Sequence, residues 1–150
     1  MNSSTSLFGK KILVGITGSI AAIKTPILVS RLVKAGAEVK CIVTPNSTNL
    51  VSPLSLSTLS RNKCLQDKDQ WEDHQTKPLH ISLAEWAELI IVAPMSATSL
   101  SKFVYGNADG LLASTLLAAD SQIIVAAAMN TSMWSHESVK SNWSRLEKID

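Results

Sequence analysis

Cysteine is scarce in this chain, with Cys41 and Cys64 the two among 150 residues. They stand in unrelated contexts and form no CxxC pair. A disulfide framework or zinc site is therefore not expected, no other metal site is expected either, and a reducing, cytoplasmic compartment fits better. Charge of one sign is lacking too. The formal net charge is +2, and the lysines and arginines are scattered rather than clustered. Nucleic acid is accordingly not expected as a partner, because binding its backbone needs a concentrated basic face. No apolar run reaches the length of a membrane span, so no membrane partner is expected. Residues 2–6 are polar and uncharged, and no apolar core is built around them in the first eight residues, which speaks against a signal peptide. Internal repeats and low-complexity segments are missing as well.

What is present suits one domain. Hydrophobic residues make up 45% of the chain, enough for a core of its own. Residues 1–9 read as a disordered tail. Ile12 to Ile16 then form a short buried strand that turns out through Thr17-Gly18-Ser19. Ser19 is a good N-cap, and a helix is expected from it to about Ala35, closed by Gly36. Ile20, Ile23, Ile27, Leu28 and Leu32 would be its apolar stripe, with Pro26 tolerated in the first two turns. Glu38–Val43 reads as a second strand ending in the turn Thr44-Pro45-Asn46-Ser47. Thr48 to about Ser60 is expected to be helical with a break at Pro53.

Residues 61–79 are polar and aperiodic, a solvated loop with one short element around Trp71. They are long for a structureless connection, which hints at function or an interface. Ser82-Leu83-Ala84-Glu85 has capping-box spacing. Ile90 to Ala93 reads as a buried strand that Pro94 ends, and Ser96 to Ser99 turn into a helix. Helices are expected over 97–105 and 109–119, a fourth strand over 122–128, and a last helix with Val139, Trp143 and Leu146 on one face. Strands alternating with helices predict an α/β fold with a doubly wound parallel sheet, a Rossmann-like or flavodoxin-like three-layer sandwich. Ligands in such sheets sit beyond the carboxyl ends of the strands.

Three places carry the candidate chemistry. Gly15-x-x-Gly18-Ser19 can cradle a phosphate, because glycine lets the backbone approach an oxyanion and the following helix offers free N–H groups. It is equally a tight strand-to-helix turn. No acidic residue closes the second strand to hold a ribose, so a mononucleotide with a terminal phosphate suits it better than a dinucleotide. His80, just before Ser82, could take a proton from a substrate thiol or carboxyl at a cleft mouth; a surface histidine is the plainer reading. His74 and His136 rank below it. Asn130 could donate its amide to a carboxylate, with Met129, Met133 and Trp134 as an apolar wall, although Asn is also a common turn residue. Cys41 reads as an inert buried hydrophobe.

Four blocks in order resemble one family. They are Gly15 to Lys24, Leu79 to Leu89, Ile90 to Ser99 with Gly106 to Leu112, and Ala127 to Trp134. Together they are similar to the homo-oligomeric flavin-containing cysteine decarboxylases, and within these to the branch acting on phosphopantothenoylcysteine in coenzyme A synthesis. The resemblance implies FMN as cofactor, held by Gly18, Ser19, Ile20, Thr44, Ser47, Pro94, Ser96, Ala97 and Thr98. It implies His80 as catalytic base and Asn130 as holder of the substrate carboxylate, with Met129 and Met133 beside the acylcysteine. It further implies oxidation of the cysteine moiety by the flavin, loss of carbon dioxide and reduction of the resulting enethiol. A homotrimer or higher multiple with sites between subunits is implied, as is fusion to a ligase domain.

Three departures stand out. Thr98 and Ser99 replace the family's Asn-Thr, which removes an amide near the flavin. Ala127 replaces a proline. The family's substrate-covering flap with its cysteine has no counterpart before Asp150, so residues 10–150 are expected to be a decarboxylase domain truncated ahead of that flap. Two alternatives follow: a flavin-binding regulatory or partner subunit without chemistry, and a decarboxylase of peptides ending in cysteine.

Overall fold

The computed structural model describes residues 7–73 and 75–149. Four strands, β1 (Lys11–Ile16), β2 (Glu38–Val43), β3 (Leu89–Met95) and β4 (Gln122–Ala127), form one parallel sheet in the order β2-β1-β3-β4. Among the described residues seven α-helices connect and flank them: α1 (Thr25–Lys34), α2 (Pro53–Ser60), α3 (Leu79–Trp86), α4 (Ala97–Val104), α5 (Leu111–Ala118), α6 (Thr131–Ser135) and α7 (Glu137–Leu146). Short 3-10 turns cover Ile20–Lys24, Pro45–Asn49 and Asp67–Trp71. The expected doubly wound α/β sandwich is the architecture found.

Side-chain alternation along the strands makes the two cores. Ile12, Val14 and Ile16 of β1 join Val29 of α1, Val39 and Cys41 of β2 and Leu56 of α2 in one apolar cluster. Leu13 points the other way and meets Ile90 and Val92 of β3, Leu83 of α3, Leu100 of α4 and Leu111 of α5. Each such fully buried side chain is worth about 1.5–3 kcal/mol against exposure.

Several boundaries differ from the sequence reading. The helix expected from Ser19 is a 3-10 turn followed by α1, and Ser19 makes no side-chain cap bond. Pro26 is the cause: it has no N–H to give to Ala22 and its ring would strike that carbonyl, so the α-helical ladder restarts after Lys24. The rotation turns Ile20, Ile23 and Ile27 outward, at 70%, 55% and 57% exposure, and buries Ala22, Thr25 and Val29 instead. The capping box at Ser82 does not form either. Helix α3 begins three residues earlier, behind Pro78, whose carbonyl takes the N–H groups of both Ile81 and Ser82. Glu85 pairs with Lys77. Strand β3 runs on through Pro94 to Met95, with a register shift against β4 between Val92 and Met95 where the proline interrupts the ladder.

Of the expected tail, residues 1–6 lie outside the described residues, while Leu7 to Gly9 are part of the fold. Leu7 packs on the first core, and Gly9 N–H donates to Gly36 O at 3.0 Å. The 61–79 segment is also more built than its composition suggests. Leu65 bridges in parallel to Ile42, and Asn62 Nδ2 donates to Val39 O at 2.8 Å. Gln66 and Asp69 cap each other around the 3-10 turn at Asp67–Trp71. Asp69 is 2% exposed and pairs with Lys63 at 2.8 Å. Among the described residues no helix is long and apolar enough to cross a membrane.

Candidate active site

The order β2-β1-β3-β4 fixes where a ligand can enter. The chain leaves β1 towards β2 and leaves β3 towards β4, so the two exit loops part in opposite directions and open a crevice above their carboxyl ends. Two cavities occupy it. One, of about 310 Å³, is lined among others by Gly18, Thr44, Asn46, Ser96, Thr98 and Leu112. The other, of about 460 Å³, is lined by Gly18 to Ala21, Ser96, Ala97, Ala128 to Asn130 and Met133. They share Gly18 and Ser96 and so are two lobes of one crevice. Their size and their mixture of apolar wall with a few polar groups suit a small-molecule cofactor.

Gly18 is needed where it stands, since a Cβ there would lie 2.6 Å from Asn46 Cβ, against the turn after β2. Ser19 and Thr44 precede their 3-10 turns without capping them, which leaves both hydroxyls uncommitted to those turns. Ser96 caps α4, its Oγ accepting from Ser99 N at 3.2 Å. The N–H groups of Ala97 and Thr98 have no intrahelical partner in that first turn and face the anion-attracting end of the helix dipole. Asn130 caps α6 with its oxygen, which accepts from Ser132 N at 2.8 Å. That fixes the amide orientation and leaves its Nδ2 donors for the cavity.

Gly18, Ser19, Ile20, Thr44, Ser96, Ala97, Thr98, Met129, Asn130 and Met133 are thus brought together around the crevice. Three expected residues are not. Ser47 is fully buried and its hydroxyl donates to Thr44 O at 2.7 Å, so it shapes the turn from beneath. Pro94 is buried under the crevice, with a cis Ala93–Pro94 bond. His80 is half-buried in the first turn of α3 and lines neither lobe. His136 Nδ1 accepts from Ser138 N at the start of α7. His74 lies outside the described residues.

The structure adds residues that sequence reasoning missed. Asp67 lines the smaller lobe and its Oδ1 accepts from Leu111 N at 2.9 Å, capping α5. Gly110 permits this, with φ +100 and no Cβ where Asp67 Oδ1 would be 3.1 Å away. Lys102 and Asp109, paired at 3.2 Å, close the same end. Asp67 sits in an aperiodic stretch 44 residues from its partner, and no local pattern marks it. Cys41 and Cys64 are both buried. Burial first, then the neighbouring Cys64 for Cys41 and Asp69 for Cys64, pushes both thiols up to about 12. They are therefore inert as nucleophiles.

A doubly wound parallel sheet with a mixed polar and apolar crevice at its switch point defines a nucleotide-cofactor-binding α/β protein. The chain belongs to the flavoprotein family, whose model, described as Flavoprotein, matches residues 1–150. The cofactor is accordingly a flavin, and the two-lobed crevice fits one. The coenzyme A biosynthesis bifunctional protein CoaBC of Bacillus subtilis (strain 168) is 42% identical over 140 residues, 93% of this chain and 34% of that protein. A solved PPC decarboxylase mutant complexed with pantothenoylaminoethenethiol superposes with a TM-score of 0.84 at 32% identity, covering 93% of this chain and 78% of that one. The FMN binding protein AtHal3 gives 0.85 at 33% identity, with 93% and 76% covered. The chain spans about a third of the length of the CoaBC relatives it matches.

Proposed function

We propose that this chain performs FMN-dependent decarboxylation of phosphopantothenoylcysteine to phosphopantetheine in coenzyme A synthesis, in the cytoplasm and as the decarboxylase part of a protein that also carries a ligase. The observation that carries the reading is the crevice itself: Gly18 and Ser96 join a lobe ending at the α4 N-terminus to a lobe walled by Met129, Asn130 and Met133. The likeness to a PPC decarboxylase and to an FMN binding protein supports it.

FMN, when bound, would take two electrons from the cysteine moiety, making it an electron sink for loss of carbon dioxide, and would return them to the enethiol left behind, so that no outside oxidant or reductant is needed. The protein's own part is to bind and orient. The turn at Gly18-Ser19 and the first N–H groups of α4 hold the cofactor's anionic and polar groups. The Nδ2 donors of Asn130 hold the substrate carboxylate, and Met129 and Met133 exclude water beside it. His80 takes the substrate proton. Because His80 lines neither lobe of its own subunit, it serves the crevice of a neighbouring copy in a homotrimer, and the exposed Ile20 of the larger lobe, with the exposed Ile23 and Ile27 that follow it, supplies apolar contact area.

The test is carbon dioxide release from phosphopantothenoylcysteine by the purified protein loaded with FMN. A His80→Asn variant should retain FMN and lose release by roughly 10²–10⁴-fold. Wild-type release from the variant removes His80 from the reaction, and a protein that binds no FMN ends the reading. Thr98, which stands in the smaller lobe where the family carries an amide, favours the second reading of a flavin-binding partner subunit. That subunit would bind FMN and release nothing. Competition by a peptide ending in cysteine separates the peptide-directed alternative.

A further inference from the structure

We infer that Thr17 is a positioning residue that sets the width of the crevice, an assignment that rests on the crevice being the flavin site. The ladder between β1 and β3 runs from Ile12↔Leu89 to Gly15↔Val92 and stops there. Beyond it the two chains head for opposite sides of the sheet, and nothing in the ladder keeps them together. Thr17 does. Its Oγ1 donates to Pro94 O at 2.7 Å and accepts from Ser96 N at 2.8 Å, while its own N–H donates to Pro94 O at 3.3 Å.

The side chain is fully buried and lines neither lobe. The residue after it, Gly18, and the residue it bonds, Ser96, are the two that line both. Thr17 therefore acts on a ligand through others. With its N–H held by Thr17 and its Oγ on Ser99 N, Ser96 keeps one conformation, φ −74 and ψ 164, and the open N–H groups of Ala97 and Thr98 are aimed at one place relative to Gly18. A hydroxyl is the side-chain group that can donate and accept at once in this space. Valine keeps the shape and can do neither.

A matched comparison lies two turns away. Thr25 Oγ1 donates to Ala93 O at 2.9 Å, and Thr25 is 4% exposed. It ties down the same strand end without touching Ser96 or either lobe. Thr25→Val thus deletes a comparable buried bond while leaving the crevice walls tied.

The experiment titrates FMN into wild-type protein and the Thr17→Val, Thr17→Ser and Thr25→Val variants, following the quench of flavin fluorescence, and records thermal unfolding of each without flavin. Thr17→Val should weaken FMN on the order of tenfold or more, because the partly buried Ser96 N–H is left unpaired and Ser96 drifts. Thr17→Ser should restore affinity to within about threefold of wild type. Thr25→Val should lower the melting temperature yet bind FMN within about threefold of wild type. If Thr17→Val does not fold, Thr17→Ala makes the same deletion with a smaller side chain and should show the same loss. Wild-type affinity in Thr17→Val or Thr17→Ala, an equal loss in Thr17→Ser, or an equal loss in Thr25→Val overturns the assignment. Wild-type protein that binds no FMN overturns the functional reading instead.

Discussion

Strands β1 and β4 are close in composition and far apart in circumstance. Lys11–Ile16 reads KILVGI and Gln122–Ala127 reads QIIVAA, each one polar residue followed by an apolar run. From Ile12 onward every residue of β1 is buried, whereas β4 alternates between exposed and half-buried. β1 lies between β2 and β3 with an apolar cluster on each face. Among the described residues β4 pairs with β3 alone, and Ile123 and Val125 turn towards the second core while Ile124 stays 47% exposed. An apolar run thus marks a strand of a parallel sheet. Its rank in the sheet comes from the neighbours.

The comparison can be pressed hardest by truncation. Leu13→Ala in β1 should cost about 2–5 kcal/mol, while Ile124→Ala in β4 should cost less than about 1 kcal/mol. Chemical denaturation of the two variants measures the gap, and equal losses would mean that β4 is covered as well as β1. Amide hydrogen exchange sharpens it next. The β1 amides should exchange at the rate of global unfolding and those of β4 through smaller openings, so comparable protection in the two strands would contradict the edge position.

The smallest effect concerns the opposite margin of the sheet, where the segment at Leu65 covers β2 and is anchored by Asp69. Burial alone would raise the Asp69 pKa, but Lys63 and the Gln66 N–H outweigh it and hold the carboxyl below its usual range. A carboxyl depressed on folding stabilises fully above its unfolded value and loses that contribution as pH falls through the folded one. The stability difference between wild type and Asp69→Asn should therefore be flat at neutral pH and shrink in acid below about pH 4. A difference that grows in acid would reverse the assignment.

Much of this was readable from local chemistry. Glu38–Val43 was expected and found with the same bounds, because Gly36 and Thr44-Pro45 punctuate it on both sides. The turns at Gly18, Thr44, Ser96 and Asn130 were readable as crevice residues for the same reason, since strand ends announce themselves. Local spacing misled where a competing residue decided. Pro26 broke the helix expected from Ser19, and Pro78 started α3 before the serine that looked like its cap. Long-range partners left no trace. Thr17 finds Pro94 across 77 positions, and Asp67 finds Leu111 across 44.

Asn130 stands at the crevice with one end of its amide already taken. An asparagine in a turn is ordinarily indifferent to the charge of what it meets, since it can swing either end of its amide outward. Here the start of α6 has claimed the oxygen, and N–H donors are what remain for the cavity. If the carboxylate role proposed for Asn130 holds, a carboxylate at the mouth of the crevice would meet free donors, whereas an ammonium would find only an oxygen that α6 already uses. Asn130→Asp would keep the helix and reverse that preference.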